Sequence, residues 1–239
     1  MNALVLGANG RLGNAIAAAL GQAGAHVVVA ARDGAALDTL VMDLRAQDIT
    51  ADAVVTDVTD DESVGRAVAV AASGGLDVAV NNVGISHRPV PLGEMDLAEA
   101  GRVLHVTLGG VLAAMRFELA AMNAGGAIVN VASTAGVRGV RGMAAYAAAK
   151  HGVVGLTRSA AMDYAERGIR VNAVAPGPID SGGLAQQSDE TKRQVGRAVP
   201  LGRLGTAGEI AAAVAWLASP AASFITGTVV EADGGRGAS

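Results

Sequence analysis

The sequence predicts an α/β protein built on a doubly wound parallel sheet, and two observations carry that prediction. Seven short apolar, β-branched runs recur along the chain, each separated from the next by a longer stretch of helical patterning. Within each run the apolar character is nearly continuous rather than alternating. That is the pattern of strands buried on both faces, as a parallel sheet between helix layers requires. Strand–helix alternation joined by right-handed crossovers then leaves few other topologies.

The elements follow in order. Ala3–Leu6 is the first run and reaches a glycine turn, Gly7 to Gly13, before a helical pattern near Asn14–Ala23. His26–Ala30 precedes a helix pattern over Gly34–Ala46, and Ala53–Thr56 precedes one over Asp61–Ala72. Val78–Val80 is followed by a single long helical pattern, Leu97–Met122, and Ala127–Val131 by another, Ala144–Arg167. Ile169–Val174 is the sixth run, after which Pro176 and Pro178 oppose regular structure. From Gly177 to Gly205 the periodicity fades, which predicts a lid or binding loop. Thr206-Ala207-Gly208-Glu209 reads as a capping box opening a helix to Ala218, and Thr228–Glu231 is the last run. No repeat or linker interrupts the series, so a single domain over residues 1–239 is expected.

Composition narrows the function classes. Charged residues make up 17 % and the net charge is -4, with no basic run, so no electrostatic footprint for nucleic acid exists. Leu119–Val137 lacks charge, but its asparagines, Ser133, Thr134 and glycines suit hydrocarbon poorly, and no membrane partner is expected. The absence of cysteine fits a reducing compartment, and the start of the chain shows no secretory pattern; a cytoplasmic location is expected. Four histidines show no ligand spacing, so no metal is expected.

The turn Gly7-Ala8-Asn9-Gly10-Arg11-Leu12-Gly13 sits where a strand feeds a helix. A pyrophosphate needs a bare backbone to approach and a helix N-terminus with free N–H groups, and this turn offers both. At the end of the second run an acidic residue would bind a ribose 2′-hydroxyl. Here Arg32 stands beside Ala31, which favours NADP(H) over NAD(H), with Asp33 the complication. Asp33 either turns outward or pairs with Arg32.

Tyr146 and Lys150 lie four apart in a helical segment, and so on one face. A free phenol, with a pKa of about 10, is too weak an acid for work near neutrality. An adjacent ammonium would lower it. Ser133 follows the fifth run, where this architecture gathers ligand groups, although a turn serine can also simply bond its own backbone.

Together these residues make the sequence similar to the compact branch of the short-chain dehydrogenase/reductase family, particularly its 3-oxoacyl reductases. Ser133, Tyr146 and Lys150 match the family's catalytic serine, tyrosine and lysine. Asn81-Asn82-Val83-Gly84 resembles its turn after strand four, and Asp57-Val58 its pair beside the adenine. Pro176-Gly177-Pro178-Ile179-Asp180-Ser181 resembles its Pro-Gly segment, with Ser181 at the carboxamide position. The resemblance implies a Rossmann-type seven-stranded sheet and hydride transfer between nicotinamide and a ketone or secondary alcohol. It also implies cofactor contacts from Gly7, Asn9, Gly10, Arg11, Leu12, Gly13, Arg32, Asp57, Val58, Asn82, Gly84, Tyr146, Lys150, Pro176, Gly177, Ile179 and Ser181. A small-molecule carbonyl or alcohol partner and a homo-oligomer, tetramer or dimer, are implied as well.

Two positions depart from the family's pattern. Arg11 replaces the middle glycine of the turn, and Gly10 precedes it; Arg11 is expected to turn outward or contact phosphate. Thr107 replaces an asparagine that holds a water linking the lysine to solvent, so a weakened proton relay through its hydroxyl is expected. These departures leave a second reading open: a cofactor-binding protein of the same fold with reduced or lost catalysis, acting as a sensor or assembly partner. The loops carrying His87-Arg88 and Arg138 with Arg141 should border the substrate mouth, and Met143 and residues 182–197 its apolar side.

Overall fold

The computed structural model describes residues 1–238. Seven strands, β1 (Asn2–Leu6), β2 (His26–Ala31), β3 (Ala51–Val55), β4 (Leu76–Asn81), β5 (Met122–Val131), β6 (Arg170–Pro176) and β7 (Val229–Ala232), form one sheet of order β3-β2-β1-β4-β5-β6-β7. Every pairing in it is parallel. The helices are α1 (Arg11–Gln22), α2 (Gly34–Arg45), α3 (Asp61–Ala71), α4 (Leu97–Leu104), α5 (Gly110–Ala121), α6 (Ala144–Asp163), α7 (Gly182–Ala185), α8 (Asp189–Arg197) and α9 (Ala207–Ala218).

Because the inner strands are buried on both faces, their residues alternate between two cores, while the edge strands β3 and β7 are partly exposed. Val5, Val27 and Val29 pack with Ile16 and Leu20 of α1, Leu37 of α2 and Val214 of α9. Leu4, Leu6 and Val28 pack on the opposite face with Val64 of α3, Met115 of α5 and Val153 of α6. Strand order reverses between β1 and β4, and at such a point the loops beyond the strands' carboxyl ends diverge and open a crevice. The fold is the predicted one.

Three local differences have physical causes. The strand predicted from Ala127 begins at Met122, five residues earlier, where Gly125 and Gly126 had masked the pattern. The long helix predicted over Leu97–Met122 is one continuous rod, Leu97–Ala121, in which a π turn, His105–Gly109, separates α4 from α5. The stretch between Gly177 and Gly205 holds α7 and α8, the latter capped by Ser188, whose hydroxyl accepts from the Thr191 N–H. By length and composition, the rod Leu97–Ala121 is apolar enough to cross a bilayer. Its Val111, Ala114, Met115 and Leu119 are packed into the sheet-facing core. Most of the uncharged stretch after Leu119 becomes β5, between β4 and β6 inside the sheet.

A polar chain runs through the core beneath α5. The Asn81 amide donates to Glu118 Oε2 and to Asn130 Oδ1, each at 3.0 Å, and Asn130 donates to Thr157 Oγ1 at 2.9 Å. Burial pushes the Glu118 carboxyl up to about 7, because a carboxylate without solvent is costly and one amide offsets little of that.

Candidate active site

The glycine turn is built by close approach. Gly7 has φ of 74°, and a Cβ there would lie 2.2 Å from the Asn82 carbonyl oxygen; one on Gly13 would lie 2.5 Å from Gly7 O. Asn82 fastens the contact, donating from Nδ2 to Gly7 O at 2.8 Å. Side chains are thereby excluded where β1 turns into α1, and a Cβ on Gly10 would meet nothing within 4 Å. What faces the crevice is bare backbone at a helix N-terminus, a fit for a pyrophosphate.

This turn borders a cleft of about 570 Å³ lined by Gly7, Asn9, Gly10, Leu12 and Gly13, by Arg32, by Asp57 and Val58, and by Asn82, Gly84 and Ser181. A second cleft of about 370 Å³ shares Leu12, Asn82, Gly84 and Ser181 with the first and adds Ser133, Tyr146, Lys150, Pro176, Gly177 and Ile179. A third, wider mouth of about 1300 Å³ again shares Ser133, Tyr146 and Gly177 and opens outward past Met143, Leu184 and Val195. The three form one groove over the strand ends. It brings together every predicted site residue except Arg11 and Thr107.

Those two lie beside the groove, for definable reasons. Arg11 turns away from the turn it interrupts, and its Nη1 meets Asp180 Oδ2 at 2.7 Å; Lys192 of α8 holds the other oxygen at 3.0 Å. Of the two expected roles, the outward one is what the geometry shows. Thr107 is fully buried in the π turn. Its hydroxyl accepts from the Ile85 N–H at 3.0 Å and donates to the Ile85 carbonyl at 3.1 Å. It thereby clamps the loop after β4, a positioning contact that the expectation of a relay did not include, and one lone pair remains beyond these two bonds.

At the Arg32 end of the first cleft, Asp33 resolves its own ambiguity: its carboxylate caps α2, accepting from the Ala36 N–H at 3.1 Å. Arg32 is left lining the cleft. Asp57 is held below the usual carboxylate range, chiefly by the backbone and side chain of Thr59, with Arg32 and His105 adding to the effect.

The catalytic candidates meet in the second cleft. Ser133 Oγ accepts from the Ala135 N–H at 3.1 Å, the turn contact a serine there often makes, yet its O–H stays available to donate. Burial pushes the Tyr146 phenol above its ordinary range, and a hydrogen bond with Ser133 offsets part of that push. The lowering expected from Lys150 is not seen: Ser133 is the one group that lowers the phenol here, and burial outweighs it. The ammonium lies 6.0 Å from the ring centroid and donates to Val131 O at 2.7 Å and Val83 O at 3.2 Å. Burial lowers Lys150 itself to about 8. Two of its three N–H donors are thus taken by backbone, and one remains for a ligand. His87 lines the wide mouth, where its loop was expected, and has a contact the sequence does not show: Nε2 accepts from the Tyr146 N–H at 3.4 Å while Nδ1 faces Arg88 O at 2.8 Å. Only the fold brings that residue to the start of α6.

This fold, with a bare glycine cradle and a serine, tyrosine and lysine in one groove, defines a nicotinamide-dependent dehydrogenase/reductase acting on a CH–OH or C=O group, and the chain belongs to the short-chain dehydrogenase/reductase family. A family profile described as enoyl-(acyl carrier protein) reductase matches residues 7–236. The chain is 43 % identical to cis-4-hydroxycyclohexanecarboxylate dehydrogenase of Sinomonas cyclohexanicum, across 98 % of this chain and 95 % of that one. It is 39 % identical to cyclohexanol dehydrogenase of Acinetobacter sp. (strain SE19), across 97 % and 93 %. Among solved structures, a variant of actinorhodin polyketide ketoreductase with NADPH superimposes with a TM-score of 0.93 at 34 % identity, covering 98 % of this chain and 96 % of that one.

Proposed function

We propose that the protein is a single-domain, NADP(H)-preferring oxidoreductase that interconverts cyclic secondary alcohols and their ketones, with Tyr146 as the acid/base. The observation that carries this reading is the meeting of Ser133, Tyr146 and Lys150 in the cleft that continues from the glycine cradle into the wide mouth. Bound in that cradle, a nicotinamide dinucleotide would give or take the hydride and, when oxidised, add a positive charge near the phenol. Ser133 would donate to the substrate oxygen and fix it beside the phenol. Tyr146 would pass its proton to that oxygen in reduction, or take the hydroxyl proton in oxidation. Lys150, anchored by two carbonyls, would hold the ribose with its remaining donor and lower the phenol's pKa once the site is filled.

The preference for NADP(H) rests on Arg32, which lines the cleft while Asp33 is occupied as a helix cap. The NADPH in the ketoreductase named above is consistent with it. The cyclic substrate class rests on the names of the two relatives at 43 % and 39 % identity. A homo-oligomer in the cytoplasm completes the reading, supported by the family resemblance and by the lack of cysteine. The alternative of a non-catalytic binder loses its motive, because Arg11 and Thr107 both have structural partners and leave the catalytic trio in place. Assay of cyclohexanone reduction with NADPH and with NADH tests the proposal. Turnover with NADPH preferred is expected; turnover with NADH alone would refute the cofactor assignment.

A further inference from the structure

The mouth of the groove carries positive charge that nothing in the fold neutralises. Arg88 and Arg141 both line it, on two loops that are pinned together. The Val90 N–H donates to Gly142 O at 3.0 Å. Gly142 has φ of 74°, and a Cβ there would lie 3.1 Å from both Pro89 Cβ and Val90 N. Only glycine permits so close a contact, and each arginine stands one residue from it. Two cationic residues, both exposed, are therefore carried by adjoining segments of the rim.

Neighbouring charges do not compensate them. Glu99 is the one acidic residue lining the mouth among the described residues, and Arg102 takes both its oxygens at 2.7 and 2.9 Å. Arg138, also on the rim, is neutralised by an ion pair with Glu231 and stands 3.6 Å from Asp233 Oδ2. Arg88 and Arg141 have no such partner among the described residues. Unpaired like charges on adjoining segments favour an anion between them, and a chain of net charge -4 does not gather cations at one opening by composition alone. The mouth runs directly into the cleft of Ser133 and Tyr146, so an anion held there would belong to the molecule being oxidised or reduced.

We propose that Arg88 and Arg141 form an anion subsite that selects a small carbonyl or alcohol substrate carrying a carboxylate remote from the reacting carbon. This rests on the catalytic reading of the same groove. The guanidinium forks would take the carboxylate at the rim while the apolar wall of Met143, Leu184 and Val195 covers the carbon frame between it and Tyr146.

The test compares 4-oxocyclohexanecarboxylate with its methyl ester on wild type, Arg88→Gln/Arg141→Gln and Arg88→Lys/Arg141→Lys. Two readouts are used: kcat/KM with NADPH, and calorimetric Kd in the presence of NADP. The acid should be favoured over the ester by about tenfold or more in wild type, through charge-assisted hydrogen bonds. That ratio should fall towards one in the glutamine variant, recover in part in the lysine variant, and shrink with added salt. An acid-to-ester ratio near one in wild type, or one unchanged in the glutamine variant, overturns the proposal, as does failure of the acid to bind. If the acid binds in an arginine-dependent way yet is not reduced, the anion subsite stands and the reaction assignment fails instead.

Discussion

Replacing Glu118 by glutamine should make the protein more stable at neutral pH, by an amount the core geometry sets. The carboxyl sits fully buried against Asn81, and burial moves its pKa from 4.5 to about 7. The unfolded chain therefore releases this proton at lower pH than the folded one. Native stability is fully retained below pH 4.5, falls as pH rises towards 7, and is level above that. Each pKa unit is worth about 1.4 kcal/mol, so the loss approaches about 3 kcal/mol, a sizeable share of a domain's net stability. Glutamine keeps the side chain's shape, accepts from the Asn81 amide as the protonated acid does, and cannot ionise. Urea unfolding of both proteins at pH 5, 6, 7 and 8 and one protein concentration measures the difference. It should be about a quarter of its full value at pH 5 and near the full value at pH 8. A difference independent of pH would refute the reasoning, since a purely steric effect of the substitution has no reason to titrate.

Four further outcomes follow from the site. Arg32→Ala should raise the KM for NADPH by about tenfold, the loss of one charge-assisted contact, and leave that for NADH nearly unchanged, as steady-state kinetics will show. Arg11→Gly should leave the NADPH Kd within about threefold and cost less than about 1 kcal/mol of stability, because the residue faces Asp180 across an exposed pair; a large loss of affinity in titration calorimetry would restore a phosphate role. Thr107→Val keeps the shape but strips both Ile85 backbone groups of their partner, so chemical unfolding should reveal a loss of about 1–3 kcal/mol. With Lys150 titrating near 8, loss of its charge above that pH removes its pull on the phenol, so kcat/KM should fall in both directions above about pH 8; a profile flat from pH 7 to 9 would contradict the assignment.

Much of the fold was legible because burial on both faces leaves a plain mark. Runs such as Val27-Val28-Val29 have no solvent side and so no polar alternation. The glycine turn was equally legible, since its spacing directly after a strand marks it, and Gly13 is required by contacts with Gly7 and Ala8 a few residues away. What escaped depends on partners distant in sequence. The π turn at Thr107 answers to Ile85, 22 residues away, and the cap on Tyr146 to His87, 59 residues away. Helix α8 has sparse apolar residues, Val195 chief among them, and its polar faces looked like a loop. Glu118 carries no sequence signal of burial, because a lone acid in an apolar helix normally marks the solvent side. The roles of Arg32 and Asp33 could be weighed from sequence, but only the capping contact with Ala36 separated them.

The central claim is that the Tyr146 hydroxyl moves the proton while hydride transfer proceeds in the adjoining cleft. Single-turnover oxidation of NADPH by cyclohexanone, followed at 340 nm for wild type and Tyr146→Phe, tests it most directly, with NADPH binding measured alongside. The account predicts unchanged cofactor binding and a rate at least about 100-fold lower in the variant, the lower range for a lost general acid. Equal rates in the two proteins would contradict it.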